Sequence, residues 1–280
     1  MGKKFVLNAD DFGMTKEQNR AVLEGYNNGF LTSTSIVANG EAFSAAVNDI
    51  LPECPNIGVG VHLNITHGKS LTNSPMLTDN NGNFNGGYLY FLLNSVKKEF
   101  LDEVEKEFRA QIEEVEKYAD IDHLDSHNHI HAIPDIFKLT LKLAEEYNIP
   151  YIRLHKENFY FVKDFIKHLN YKYPFNLIKM LILNWFSEIN KEHLKEYKVK
   201  TNDYIIGIKY SKMLDAISVE KGLQEIDDEN SITEVIITPS YSEKIRNAHT
   251  TEFSLSIDKK LEDTINRLGF EITNYKKLTK

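Results

Sequence analysis

The chain has 280 residues, 41% hydrophobic and 26% charged, and a formal net charge of −8. This length can bury a substantial core as one large α/β domain or two smaller ones, and the composition is that of an ordinary soluble globular protein. The acidic balance excludes a nucleic-acid phosphate binder, which needs a basic face, and the lone Cys54 excludes an intramolecular disulfide or a thiolate metal cluster.

The N-terminus passes from Met-Gly-Lys-Lys directly into a strand pattern, without the apolar region and small-residue site of a signal peptide. Lys4–Ala9 reads as a buried first strand. Thr15 with Gln18 forms a capping box for a helix to about Asn28, and Gly29 stops it. Ser33–Ala38 is a second strand, followed by a helix over roughly 41–51. Ile57–Val61 is a third, delivering His62 at its end. From 64 to 95 the pattern breaks into a loop insertion rich in Gly and Asn, followed by Tyr88, Tyr90 and Phe91. These aromatics fit a lid that stacks on a ligand, or a satellite of the core.

Residues 97–118 form an amphipathic helix with Phe100, Val104, Phe108, Ile112 and Val115 on one face. His123–His131 follows as a fourth strand and its exit, and Pro134 opens the next helix. Tyr151–Leu154 is a fifth strand. A helical, aromatic-rich excursion occupies about 156–200, and its apolar run Phe175–Phe186 is too short to span a bilayer. That run is core-facing or a homodimer surface. Tyr204–Lys209, Glu234–Thr238 and Phe270–Thr273 complete eight strand candidates. The alternation predicts a single α/β domain over 1–280, a closed or nearly closed (β/α) barrel with mainly parallel strands. A cytoplasmic location follows, with neither a membrane nor a nucleic acid as partner.

Parallel α/β folds gather their sites at the carboxyl ends of the strands, where Asp10, Asp11, His62 and His127 all fall. Asp-Asp before a helix often serves as a turn or cap. It also suits a division of labour in which one carboxylate binds a metal and its neighbour takes a proton from water. Gly58 and Gly60 permit close backbone approach beside His62. His123, Asp125, His127, His129 and His131 occupy alternate positions, so an extended chain puts them on one face. They cannot all reach one ion. His127 is read as a metal ligand, Asp125 or His129 as a group that orients ligands from behind, and His123 or His131 as partly structural.

The runs Val6–Gly13, Gly29–Ser35, Gly58–Thr66 and His123–His131, with Ile152-Arg153, make the chain resemble the YdjC/ChbG family of carbohydrate deacetylases. The resemblance implies a distorted (β/α) barrel related to polysaccharide deacetylases and a divalent ion, usually magnesium. It implies removal of acetyl groups from N-acetylated sugars such as chitooligosaccharides, phosphorylated ones among the options. By position it implies Asp11, His62 and His127 as metal ligands and Asp10 as catalytic base. On ligand softness, two imidazoles and a carboxylate suit zinc or another transition ion better. The family's His-Pro-Gly-Tyr-like segment is Thr238-Pro239-Ser240-Tyr241 here, so its histidine is missing. His129, His131 and His249 are the spare imidazoles for proton donation or substrate binding. Arg153 is a candidate for holding a carboxylate, a phosphate or Asp10. The competing readings are a metal-dependent phosphoesterase or amidohydrolase on a similar barrel, and a sugar-binding regulatory protein with weakened catalysis.

Overall fold

The structure, a computed structural model, describes residues 2–163 and 171–279. Strand β1 (Lys4–Phe12) is buried along almost its whole length, as a near-continuous apolar run in a parallel sheet requires. It pairs in parallel with β2 (Ser33–Ile36) on one side and β8 (Ile232–Ile237) on the other. From β2 the sheet continues through β3 (Gly58–Leu63), β4 (His123–Ser126), β5 (Tyr151–Ile152) and β6 (Lys200–Thr201). Beyond β8 lies β7 (Tyr204–Ile206). Strand β9 (Glu271–Thr273) pairs with the opening residues of β1, before β2 begins.

The two ends of this path, β6 and β7, are separated along the chain only by Asn202 and Asp203. The Asn202 side chain meets Leu154 from both sides, accepting from its N–H at 2.7 Å and donating to its carbonyl at 2.8 Å. The Ile205 N–H donates to the Lys156 carbonyl at 2.8 Å. Among the described residues β6 and β7 do not pair, so the parallel sheet is a partial barrel, and these bonds tie the stretch after β5 to both of its ends. Sequence reading missed β6 because two residues carry no periodicity.

The α-helices of seven or more residues among the described residues are α1 (Lys16–Asn28), α2 (Tyr88–Asn94), α3 (Lys98–Glu116), α4 (Pro134–Glu146), α5 (Tyr173–Leu194), α6 (Ala216–Gln224), α7 (Ala248–Ser256) and α8 (Lys259–Arg267). Thr15 caps α1 by accepting from the Gln18 N–H at 3.2 Å. Gly29 ends it with φ −143°, outside the left-handed region. Glycine is needed there because a Cβ would lie 1.9 Å from the Ser256 carbonyl oxygen of α7. Helix α3 buries the predicted apolar face. Among the described residues no helix is long and apolar enough to cross a membrane.

Three expectations change. Strand β4 stops at Ser126, and residues 127–132 form a tight helical turn in which Asn128 and His129 are left-handed, at φ 55° and 59°. His127, His129 and His131 therefore do not share a strand face with His123 and Asp125. Residues 153–163 are irregular, not helical, while 164–170 of the expected excursion lie outside the described residues. The irregular stretch is tied down by buried Lys209, whose ammonium sits 4.0 Å and 4.4 Å from the ring centres of Phe159 and Phe161. Tyr90 and Phe91 pack with Phe100, and the Tyr90 hydroxyl donates to the Met76 carbonyl at 2.9 Å. Phe91 belongs to the core, whereas Tyr90 packs on it from the surface.

Candidate metal centre and catalytic cleft

Successive residues of a regular strand point to opposite faces, yet Asp10 and Asp11 both line one cleft. The register between β1 and β2 shifts between Ala9 and Phe12, and Asp11 adopts φ 66°. This bulge, the usual device for re-aiming side chains near sites, turns two neighbouring carboxylates into the same space with different partners.

Asp11 meets the imidazoles. Its Oδ1 lies 2.9 Å from His127 Nδ1 and 3.3 Å from His62 Nε2. His62 is fixed from behind: Asp125 Oδ1 is 2.8 Å from Nδ1, and a carboxylate can only accept, so Nδ1 carries the hydrogen. That leaves Nε2 as the nitrogen that would face a metal once its own proton is displaced, in the carboxylate–histidine–metal arrangement. Asp125 is itself held by the Ser35 hydroxyl at 2.8 Å. Burial opposes a charged His62, but the Asp125 and Asp10 carboxylates and the bond to Asp11 outweigh it and hold its pKa well above the ordinary value. Burial likewise opposes the Asp11 charge, and the bonds from His127 and His62 overcome it, keeping Asp11 far below the usual carboxylate range.

The ligand atoms of Asp11, His62 and His127 lie within 4.8 Å of one another. One carboxylate and two nitrogen donors, with room for further ligands, is the chemistry of a catalytic divalent site. The residues therefore fit the implied ion. A second grouping, Asp10, His62 and Asp125, does not fit. The Arg153 guanidinium already stands between its two carboxylates, 2.7 Å from Asp10 Oδ1 and 2.6 Å from Asp125 Oδ2.

Arg153 is buried at the exit of β5 and organises this side. Its two terminal nitrogens grip Asp10 at 2.7 Å and 3.0 Å, and it also donates to Glu234 Oε1 at 2.7 Å and 3.1 Å. The Asn8 amide donates to Asp10 Oδ1 at 2.9 Å, and the Tyr275 hydroxyl to Glu234 Oε2 at 2.9 Å. Arg153 thus meets three protein carboxylates and takes no place in the lining of the cleft, so its candidacy for gripping a substrate phosphate is replaced by the hold on Asp10.

The spare histidines separate by position. His131 is buried, its Nδ1 on the Ser126 hydroxyl and its Nε2 2.9 Å from the Arg153 carbonyl. Burial pushes it down to about 4. Neither nitrogen is left for a substrate, which removes His131 from the donor candidates. His123 is buried against Asp122 at 2.6 Å, and its ring fills the space above Gly60, where a Cβ would lie 2.4 Å from it. Gly60 admits this ring, not a ligand. His129 lines the cleft 3.1 Å from His155, and burial with the charges of Lys179 and Arg153 holds it well below the ordinary imidazole value. His249 lines the cleft too, its Nδ1–H donating to the Thr238 carbonyl at 2.7 Å.

Sequence reading passed over Ser35, Glu234, Tyr275 and Glu252. Glu234 carried a signal, a charge inside the apolar run Ile232–Ile237, which a buried strand holds only with a partner. The cleft has a volume of about 900 Å³, within the usual range for a small-molecule site, and Lys179, Lys212 and Glu252 line it beside the metal centre.

The family described as YdjC-like protein matches residues 4–267. A carbohydrate deacetylase of Brevibacillus brevis is 40% identical over 149 residues, covering 52% of this chain and 58% of the relative. A chitooligosaccharide deacetylase of Salmonella paratyphi B is 34% identical over 154 residues, covering 53% and 58%. The chain thus spans little more than half the length of the curated relatives it matches. The crystal structure of a candidate cellobiose-phosphate cleavage protein from Enterococcus faecalis V583 superposes with a TM-score of 0.73 over 99% of both chains at 23% identity, a likeness of fold. With the family match running from the first strand to the last long helix, the chain belongs to the YdjC-like family.

Proposed function

We propose that this protein is a metal-dependent deacetylase that hydrolyses the acetamido group of N-acetylated mono- or oligosaccharides. The observation that carries the reading is the pairing, in one cleft, of a three-ligand set (Asp11, His62, His127) with a separate carboxylate, Asp10, held off the ligands by Arg153. The named deacetylases among the relatives support the substrate class. When bound, an ion supplies Lewis acidity toward water and the acetyl carbonyl. Asp10 receives the proton of the attacking water at a carboxylate oxygen, and Arg153 with Asn8 fixes the angle at which that oxygen faces the cleft. Magnesium is the ion of the family resemblance, and the nitrogen donors favour zinc or another transition ion.

Lys179 and Lys212 on the cleft wall fit a phosphorylated sugar, and they are the one observation favouring the phosphoesterase reading. Incubating metal-loaded protein with diacetylchitobiose, its 6-phosphate and 4-nitrophenyl phosphate separates these readings. Acetate release that stops with a chelator is the expected result, and metal analysis of His62→Ala should show a depleted ion. Phosphate release without acetate would replace the deacetylase reading with the phosphoesterase, and sugar binding without turnover would favour a regulatory protein.

The second reading for α5, a homodimer surface, draws on its exposed apolar face. Met180, Leu183 and Phe186 are buried, while Phe175, Ile178, Leu181 and Trp185 remain more than half exposed. Sedimentation is expected to find twice the chain mass of 32.3 kDa, and Trp185→Asp to return it to one chain. A monomeric wild type would remove the reading.

A further inference from the structure

Helix α7 places His249 and Glu252 one turn apart, and both reach the backbone of Thr238 at the exit of β8. Glu252 Oε2 accepts the Thr238 N–H at 2.7 Å and Oε1 accepts the Lys212 N–H at 3.2 Å. Glu252 is only 5% exposed, yet it lines the cleft that holds Asp10 and the ligand set. Its carboxyl forms no ion pair among the described residues. The charged or titratable groups around it are Asp10 on β1, Lys179 on α5, Lys212 after β7 and His249 on its own helix. Burial pushes the Glu252 carboxyl up against the pull of its two amide donors, Asp10 adds to the rise and the Lys212 charge offsets part of it, and the result is about 7.

Asp10 and Glu252 are thus two carboxyls of one cleft in opposite surroundings. Asp10 is gripped by a guanidinium and an amide, whereas Glu252 is buried without a cation in contact. Two carboxyls held by such different partners in one cleft suit the separate tasks of base and acid. We propose that Glu252 is the general acid of the cleft, giving its proton to the sugar nitrogen as the acetyl group departs; this rests on the deacetylase reading above. Water's oxygen bonds to the acyl carbon while one of its protons passes to Asp10. The C–N bond then breaks, its electron pair stays on nitrogen, and nitrogen takes the Glu252 proton to leave as the amine. The other product is acetic acid; Asp10 releases its proton to solvent and Glu252 regains one. Such a donor on α7 removes the need for an imidazole at position 238.

The test uses Glu252→Gln in the metal-loaded protein with two substrates: an N-acetylated aminosugar, whose nitrogen must be protonated to leave, and 4-nitrophenyl acetate, whose phenolate leaves without a proton. The expected result is a roughly 100- to 1,000-fold loss of amide hydrolysis with ester hydrolysis retained. Glu252→Asp should restore part of the amide activity. In wild type, amide kcat/KM should fall as pH rises through neutrality, and Glu252→Gln should lack that limb. Infrared difference spectra of wild type minus Glu252→Gln should show, on the acid side of neutrality, a protonated-carboxyl carbonyl band that disappears on the alkaline side. Equal losses on amide and ester, absence of that band, or a selective amide loss in His249→Ala with none in Glu252→Gln would each overturn the proposal. Wild type that hydrolyses the ester but no acetylated sugar would overturn the deacetylase reading and the proposal together, a result distinct from the others.

Discussion

Asparagine in place of Asp10 is expected to lower kcat/KM for acetylated-sugar hydrolysis by roughly 1,000- to 10,000-fold, the upper part of the range for a general base, while the protein still binds its ion. The separation follows from geometry. Asp10 stands one residue from a metal ligand, but the bulge and the left-handed Asp11 send the two carboxylates to different partners. Asp11 faces His62 and His127; Asp10 faces Arg153 and Asn8. An amide at position 10 keeps the size and one acceptor oxygen, and Arg153 keeps Asp125 and Glu234. The ability to take a proton is lost, together with the charge and one of the two oxygens that accept from Arg153. Asp11→Asn should behave differently, losing ion affinity along with turnover. Calorimetric metal titration beside steady-state kinetics makes the comparison. Full turnover by Asp10→Asn would show that the proton goes elsewhere, and loss of the ion would place Asp10 among the ligands.

The parts of this site that were legible in the sequence are those fixed by strand ends. Asp10, Asp11, His62 and His127 each follow an apolar run, and a parallel sheet delivers all such positions to one side. What could not be read is what depends on left-handed backbone or distant pairing. Asn128 and His129 leave the extended region, so alternation in 123–131 suggested a shared strand face that ends at Ser126. The strand-end position of Arg153 made it a candidate for holding Asp10, but no local pattern announces that it will also meet Glu234, 81 positions away. Glu252 sits in a stretch without apolar periodicity, and only the packing of α7 on the end of β8 turns it into a buried acid. The link between the two ends of the sheet was hidden for a similar reason: it rests on the Asn202 side chain and one backbone bond from Ile205.

Arginine 153 to alanine is expected to destabilise the protein by about 3–5 kcal/mol, the range for removing one partner of a buried ionic cluster. Arg153 is 1% exposed, and Asp125 and Glu234 are fully buried. Burial disfavours the Asp125 charge, and Arg153 with His62 holds it far below the ordinary range. Without the guanidinium, these carboxylates must either stay charged in the interior or take up protons, and both cost stability. Lysine should rescue only part of the loss, because one ammonium cannot reproduce the paired contact with Asp10 while reaching Asp125 and Glu234. The sign of the pH effect is also set. Asp125 has a depressed pKa in the folded state, so its contribution is present above the unfolded carboxylate value of 3.8 and is lost as pH falls toward the folded one. Arg153→Ala removes much of that depression, so its stability deficit should be largest near neutrality and shrink in acid. Urea unfolding across that pH range checks this, and a variant as stable as wild type at neutral pH would show that the cluster serves orientation of Asp10 alone.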